Sequence, residues 1–216
     1  MRFPFAPDTL LFAPALILAT LLFLALGWNQ GALLLIGLTG FVLYFFRDPE
    51  RIAPPGDDLV VAPADGKVVL IDRAYASPDH PEGAVCVSIF LSIFNVHIQR
   101  CPLPGTVIRK SYNKGKFLAA WDHKASLDNE QALTVFSTPI GVVGVKQIAG
   151  LIARRIVPWL AVGDEVAKGD HLGLIRFGSR VDLILPAGTE ILVMIGDVVA
   201  AGETVMARVG VPKGAE

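Results

Sequence analysis

Charge is missing from one long stretch of this chain: between Thr9 and Phe46, 38 consecutive positions of the 216, there is no Asp, Glu, Lys or Arg. That absence excludes a polypeptide dissolved uniformly in water, and it gives the chain two solvents. Cysteine is scarce too. Cys86 and Cys101 are too few for a disulfide scaffold or a zinc site and read as buried small hydrophobes. A basic excess is also lacking, with Lys plus Arg at 19 against Asp plus Glu at 20. A general nucleic-acid binder, which gains affinity by releasing counterions from phosphates, is thereby excluded. The sequence holds no recognisable metal cluster and no glycine-rich phosphate loop such as pyridoxal phosphate would need. Apolar residues make up 53% and charged residues only 18%, which excludes a disordered chain.

The uncharged stretch is two apolar runs, Leu10 to Leu26 and Ala32 to Phe46, broken by Gly27-Trp28-Asn29-Gln30-Gly31. Glycine and asparagine suit a tight turn and tryptophan suits an interface, so residues 1–46 read as a membrane-associating helical hairpin. Each arm would be roughly 22–26 Å long, short of a hydrocarbon core of about 30 Å. Both a thinned-bilayer crossing and a dip into one leaflet fit this length. A cleaved signal peptide ending at Ala25-Leu26-Gly27 is the competing reading, but the second apolar run would then follow the cut directly. Arg2, Arg47 and Arg51 flank the hairpin on one side, which places the rest of the chain on the cytoplasmic face of the cell membrane.

Residues 47–216 have the grain of a β domain. Short runs rich in Val, Ile and Leu recur at Leu59–Val61, Lys67–Ile71, Val85–Ile93, Gly105–Ile108, Leu133–Ser137, Ile140–Gln147, Val181–Leu185 and Glu190–Ile195, divided by Pro, Gly and Asp. The pattern predicts a mainly β barrel or sandwich with few helices, short ones at Lys116–Ala120 and Ala149–Val157. One repeat is legible: 163–172, GDEVAKGDHL, returns as 196–205, GDVVAAGETV. Each copy predicts turn, strand, turn, strand, with glycine at the positive-φ positions. This resembles lipoyl and biotinyl carrier folds, yet residues 171–195, between the copies, lack the lysine that a carrier modifies.

Gly178-Ser179, within that interval, admits a chemical reading. A serine hydroxyl held against the preceding carbonyl can attack it and exchange amide for ester, and glycine there removes the Cβ that hinders the approach. β-Elimination then cuts the chain and leaves, after hydrolysis, a pyruvoyl ketone that takes up amines and accepts electrons. The dipeptide alone is equally an ordinary turn. Among four histidines, His80 sits in a polar loop and His171 in the repeat. His97 follows the apolar run to Phe94 and precedes a Pro- and Gly-marked turn, a strand end where a base can meet substrate or simply be a satisfied structural histidine. Asp65, before Gly66, reads as an Asp-Gly turn or as the carboxylate that orients a histidine in a triad.

Taken together, FFRDPERIAPPGDDLVVAPADGKVV (45–69), NVHIQRCPLPGTV (95–107), KFLAAWDHKASLDNEQ (116–131), QIAGLIARRIVPW (147–159) and RFGSRVDLILP (176–186) resemble, in order, the blocks of the phosphatidylserine decarboxylases in their short bacterial form. The resemblance implies self-cleavage between Gly178 and Ser179 into fragments 1–178 and 179–216 that stay together as a heterodimer. It further implies a covalent pyruvoyl group derived from Ser179, processing assisted by His97 and Asp65, and conversion of phosphatidylserine to phosphatidylethanolamine and CO2. Gln99 and Gln131 depart from residues common in the family, and Phe94 stands where longer members carry a second histidine.

Between residues 100 and 124, Arg100, Arg109, Lys110, Lys114, Lys116 and Lys124 face one acid, Asp122, and are expected to attract anionic headgroups. Two other classes remain open from the residues: a non-catalytic carrier-like module on a membrane anchor, and a membrane-fusion adaptor, which would need a heptad hairpin that is not visible.

Overall fold

The computed structural model describes residues 4–115, 129–150, 155–176 and 179–209. The chain divides into two compact units, Met1–Glu50 and Arg51–Glu216.

The first unit is a hairpin of two helices, α1 (Thr9–Ala25) and α2 (Asn29–Phe45). Gly27 ends α1 at φ +75°, the left-handed position that closes a helix, and the amides of Leu26, Gly27 and Trp28 turn back onto Leu22, Leu24 and Phe23 carbonyls. Gly31 allows the arms to close, because a Cβ there would stand 2.4 Å from the Phe23 ring. At the open end, Ala6 N donates to Phe46 O at 2.8 Å and Asp48 N to Pro4 O at 2.7 Å. Thr20 and Thr39 hydroxyls return to the carbonyls four residues earlier, so neither needs water. Leu10, Leu11, Leu18, Leu33 and Leu34 are each at least 65% exposed, so the apolar side chains surround the hairpin. Each helix has 17 residues, and among the described residues no helix is long and apolar enough to cross a membrane.

The second unit is β. Its strands are β1 (Leu59–Val61), β2 (Gly66–Ser77), β3 (His80–Leu91), β4 (Ile98–Arg100), β5 (Gly105–Asn113), β6 (Gln131–Thr138), β7 (Gly141–Ala149), β8 (Arg155–Pro158), β9 (Glu165–Val166), β10 (His171–Arg176), β11 (Ser179–Pro186), β12 (Glu190–Ile191), β13 (Val198–Val199) and β14 (Val205–Arg208). A curled eight-stranded sheet runs β13-β2-β3-β11-β7-β6-β5-β9, beside two three-stranded sheets, β1-β14-β12 and β4-β10-β8. β11 lies between β3 and β7 and is buried from Ser179 to Leu185, so both faces of its second half are apolar while Ser179, Arg180 and Asp182 are buried polar groups. Val181, Leu183 and Leu185 enter the main core with Val87, Ile89, Leu91 and Val145, while Ile184 joins Ala84 and Cys86 on the other face.

The helix expected at Ala149–Val157 gives way to strand at both described ends: Ala149 ends β7, and Arg155–Pro158 pairs with β10. Ile156 and Val157 are β-branched, and Pro158 has no amide to extend a helix, so pairing with Leu174 and Ile175 prevails. The helix expected at Lys116–Ala120 lies outside the described residues. Of the strand expected over Glu190–Ile195, only Glu190–Ile191 is paired.

The repeat is structural down to its hydrogen bonds. Gly163 and Gly196 have φ +97° and +105°, and Gly169 and Gly202 have +86° and +76°. Asp164 and Asp197 each accept from the amide three residues earlier at 2.8 Å. Gly163 N donates to Val107 O and Gly196 N to Val68 O, both at 2.8 Å, while Gly169 N reaches Cys101 O and Gly202 N reaches Ala62 O. Each turn therefore docks on a second segment, 101–107 or 62–68, and those segments share Pro, Gly and Val at equivalent places.

Candidate active site

Ser179 opens β11 with Leu91 opposite on β3 and Ala149 opposite on β7. Its alternation with Val181 and Leu183 puts it on the core face of the sheet, where it is fully buried. Its Oγ has no hydrogen-bond partner among the described residues. An unpaired buried hydroxyl costs about 1–3 kcal/mol, so the fold keeps this group against its own stability. The preceding strand, β10, belongs to the β4-β10-β8 sheet, so the chain changes sheets between Arg176 and Ser179. Gly178, the other expected partner in the cut, lies outside the described residues.

His97 stands just before β4, fully buried, and its carbonyl accepts the amide of Ile175 in β10 at 3.2 Å. β4 and β10 pair from Leu174 opposite Ile98 onward, so the histidine sits beside the strand that leads to Ser179. His97 Nδ1 lies 2.9 Å from Asn95 O. A carbonyl only accepts, so Nδ1 carries hydrogen, and the neutral ring has its lone pair on Nε2. That is the tautomer of a general base acting through Nε2.

Asp65 is placed differently from the triad expectation. Its carboxylate takes the Arg51 guanidinium at 3.1 and 2.9 Å and the Ala201 amide at 2.8 Å. The imidazole is held instead by its own neighbour's carbonyl. The turn carrying Asp65 is nevertheless close in the backbone, because Arg100 N donates to Pro63 O at 2.9 Å, three residues from His97 and two from Asp65. Arg51, expected to flank the hairpin at a membrane, also binds Glu203 at 2.5 Å and so ties Asp65 to the second repeat turn.

A polar chain joins the two sheets behind His97. Gln99 Nε2 donates to His97 O at 2.9 Å, and Gln147 Nε2 donates to Gln99 Oε1 at 2.8 Å. Asn129 Nδ2 donates to Ala149 O at 2.7 Å, the residue opposite Ser179. Directly after the serine, Arg180 is buried with Asp182 at 2.6 Å and Ser88 Oγ at 2.7 Å. Sequence reasoning assigned no role to Gln99, Gln147, Asn129, Arg180 or Asp182. The signal that marks them is a polar residue inside an otherwise apolar strand run, as with Asp182 in Val181–Leu185.

Cys86 and Cys101 are free and buried, and burial pushes both thiols up to about 12. The Glu130 carboxylate accepts the Tyr112 hydroxyl at 2.7 Å and thereby raises the phenol above its ordinary value. Three described members of the expected basic patch are engaged within the fold, while Lys114 is exposed. Arg100 is buried on Gly169 O at 3.0 Å, Arg109 pairs with Asp79, and Lys110 reaches Leu160 O. Lys116 and Lys124 lie outside the described residues.

The fold and its polar centre are those of a β-sheet protein with a concealed serine and a base-competent histidine beside one strand crossover. The sequence matches the phosphatidylserine decarboxylase family over residues 38–207. It is also 50% identical over 199 residues to a phosphatidylserine decarboxylase proenzyme of Symbiobacterium thermophilum, covering 91% of this chain and 92% of that one. The chain belongs to the phosphatidylserine decarboxylase family.

Proposed function

We propose that this chain is a self-processing carboxy-lyase that converts phosphatidylserine to phosphatidylethanolamine and CO2, using a pyruvoyl group made from Ser179. The observation that carries the reading is the buried, unpartnered Ser179 hydroxyl. In processing, Oγ attacks the carbonyl carbon of Gly178, and the amide between them becomes an ester and a free amine. His97 Nε2 takes the hydroxyl proton. That proton passes to the new amine, and loss of the residue 179 Cα proton to the same base, with breaking of the Cβ–Oγ bond, then frees the Gly178 carboxylate; the unsaturated residue left at 179 consumes one water and releases ammonia. Asp65 acts here as a positioning residue, through Arg51 and the turn at Ala201.

The residues fit a group at 179: the position is fully buried, Leu91 and Ala149 stand opposite it on either side, and its Oγ has no hydrogen-bond partner among the described residues. Once formed, the group supplies a ketone that condenses with the substrate amine and takes up the electron pair left by CO2. His97 Nε2 then holds the proton that returns to carbon.

After the cut, β11 to β14 would belong to the smaller fragment yet remain paired with β1, β2, β3 and β7, which supports a stable heterodimer of the two. Residues 1–46 associate with the cell membrane and the catalytic unit faces the cytoplasm, a reading supported by the exposed leucines around the hairpin and by the arginines that flank it, Arg2, Arg47 and Arg51.

Mass analysis of the purified protein tests the reading. Fragments 1–178 and 179–216 are expected, the smaller one blocked at its N-terminus, with activity that needs no added pyridoxal phosphate or metal. A single intact chain with normal activity, or activity that survives in Ser179→Ala, overturns it.

A further inference from the structure

The direction of the polar chain behind His97 is fixed by elimination. His97 O can only accept, so Gln99 must present its amide NH2 there and its oxygen to Gln147. Gln147 must in turn present its NH2 to Gln99, which leaves Gln147 Oε1 aimed elsewhere. That oxygen is buried, and it has no hydrogen-bond partner among the described residues. Flipping Gln99 would break both bonds, and flipping Gln147 would break its bond to Gln99.

The location is as specific as the direction. Gln147 lies opposite Val181 and two residues from Ala149, the partner of Ser179, so Gln147 and Ser179 occupy the same core face of adjacent strands. Diagonal neighbours of this kind are about 7–8 Å apart at Cα, within reach of a long side chain. Gly173 on β10 leaves room for the Gln147 amide to pack against it: a Cβ there would stand 3.1 Å from Gln147 Nε2 and 2.7 Å from Val157 O. Two buried polar atoms, one a hydroxyl and one an amide oxygen, thus belong to side chains on one face of adjacent strands and have no hydrogen-bond partner among the described residues.

We propose that Gln147 Oε1 is the acceptor for the amino group of the substrate's serine headgroup beside residue 179. This rests on the function proposed above. The headgroup nitrogen has to approach residue 179 and brings N–H donors, and an amide oxygen offers an acceptor without charge. That distinction matters, because a carboxylate would favour the ammonium, whereas the nitrogen must shed its proton to react.

The test compares short-chain phospholipids with ethanolamine and n-propyl headgroups as ligands of the processed enzyme. In Gln147→Met the ratio of their affinities is expected to fall about tenfold, the scale of one buried hydrogen bond, with n-propyl affinity unchanged. Gln147→Glu is expected to keep the amine preference while its turnover optimum moves to higher pH. If Gln147→Met keeps the wild-type ratio, the proposal is overturned. If Gln147→Met stays uncut, Gln147→Glu decides: cutting with a retained amine preference upholds the acceptor role, and an uncut Gln147→Glu chain, or one cut without the preference, assigns Gln147 only to holding Gln99. A wild-type chain that is uncut, or cut without decarboxylase activity, refutes the function instead, so the two failures are distinguishable.

Discussion

Arg180 and Asp182 permit a quantitative test of how rigidly the strand after Ser179 is held. Their side chains are 8% and 2% exposed, project from the same face of β11, and share Ser88 as a third member across β3. Asp182→Ala leaves a guanidinium buried with one hydroxyl partner, and stranding a charge in this way costs about 3–5 kcal/mol. For a unit of this size each kcal/mol moves Tm by about 2–4 °C, so a fall of roughly 6–20 °C is expected. The measurement belongs in a Ser179→Ala background, where every chain is intact, with Tm read from near-UV circular dichroism of the β unit. Replacing both partners, Arg180→Met with Asp182→Leu, should recover most of the loss, because an apolar pair of similar volume needs no solvation. With Ser179 restored, Asp182→Ala should also slow cutting at temperatures well below its melting, since Arg180 is the residue next to the serine. A loss under about 1 kcal/mol, or a double variant no better than the single, would mean the pair is effectively solvated and does not anchor β11.

His97→Ala should accumulate uncut chain, with cutting slowed by about 10²–10⁴-fold as for loss of a general base, followed by mass analysis over time. Asp65→Ala should also slow cutting, and Asp65→Asn should restore part of the rate because an amide oxygen can still accept from Ala201 N; equal defects would make the Arg51 charge contact decisive. Cys86 and Cys101, raised to about 12 by burial, should resist alkylation at pH 8 until the chain is denatured. Because their folded pKa lies above the unfolded value, the stability they contribute is complete below about pH 9 and is lost as pH rises toward 12, visible as a falling urea midpoint. Deleting residues 1–46 should reduce turnover on bilayer substrate more than on a short-chain soluble analogue, and equal losses would make the hairpin a folding element.

Features whose physics is local were legible in the sequence. The uncharged run announces α1 and α2 because helices without water need apolar side chains all round, and the repeat announces β9, β10, β13 and β14 because its glycines must adopt positive φ. β4 and β8 were not legible. Each is a strand of three or four residues, defined by pairing with β10 rather than by its own pattern, and Ala149–Val157 looked helical for want of that partner. The Gln99–Gln147 contact spans 48 positions and lies in no periodicity.

The docking segments 62–68 and 101–107 explain where Asp65 stands. Ala62-Pro63-Ala64-Asp65-Gly66-Lys67-Val68 and Cys101-Pro102-Leu103-Pro104-Gly105-Thr106-Val107 share only Pro, Gly and Val, too little to see in the sequence, yet each receives a repeat turn through the same backbone bonds. A Cβ at either glycine would meet a carbonyl of a neighbouring strand, Phe90 O at 2.2 Å or Ser137 O at 2.4 Å, so both turns are fixed by close backbone approach. Asp65 then occupies the position of Pro104, and Ala201, whose amide it accepts, occupies that of Lys168. One half of the pseudo-symmetric pair thus has a plain proline where the other has a carboxylate clamped by Arg51. A carboxylate that served only to make the turn would not be needed, since Pro104 makes it without one. The added group therefore joins Arg51, the segment leading to β2 and the turn before β14 across the two sides of the cut, and its effect on processing is expected through that linkage.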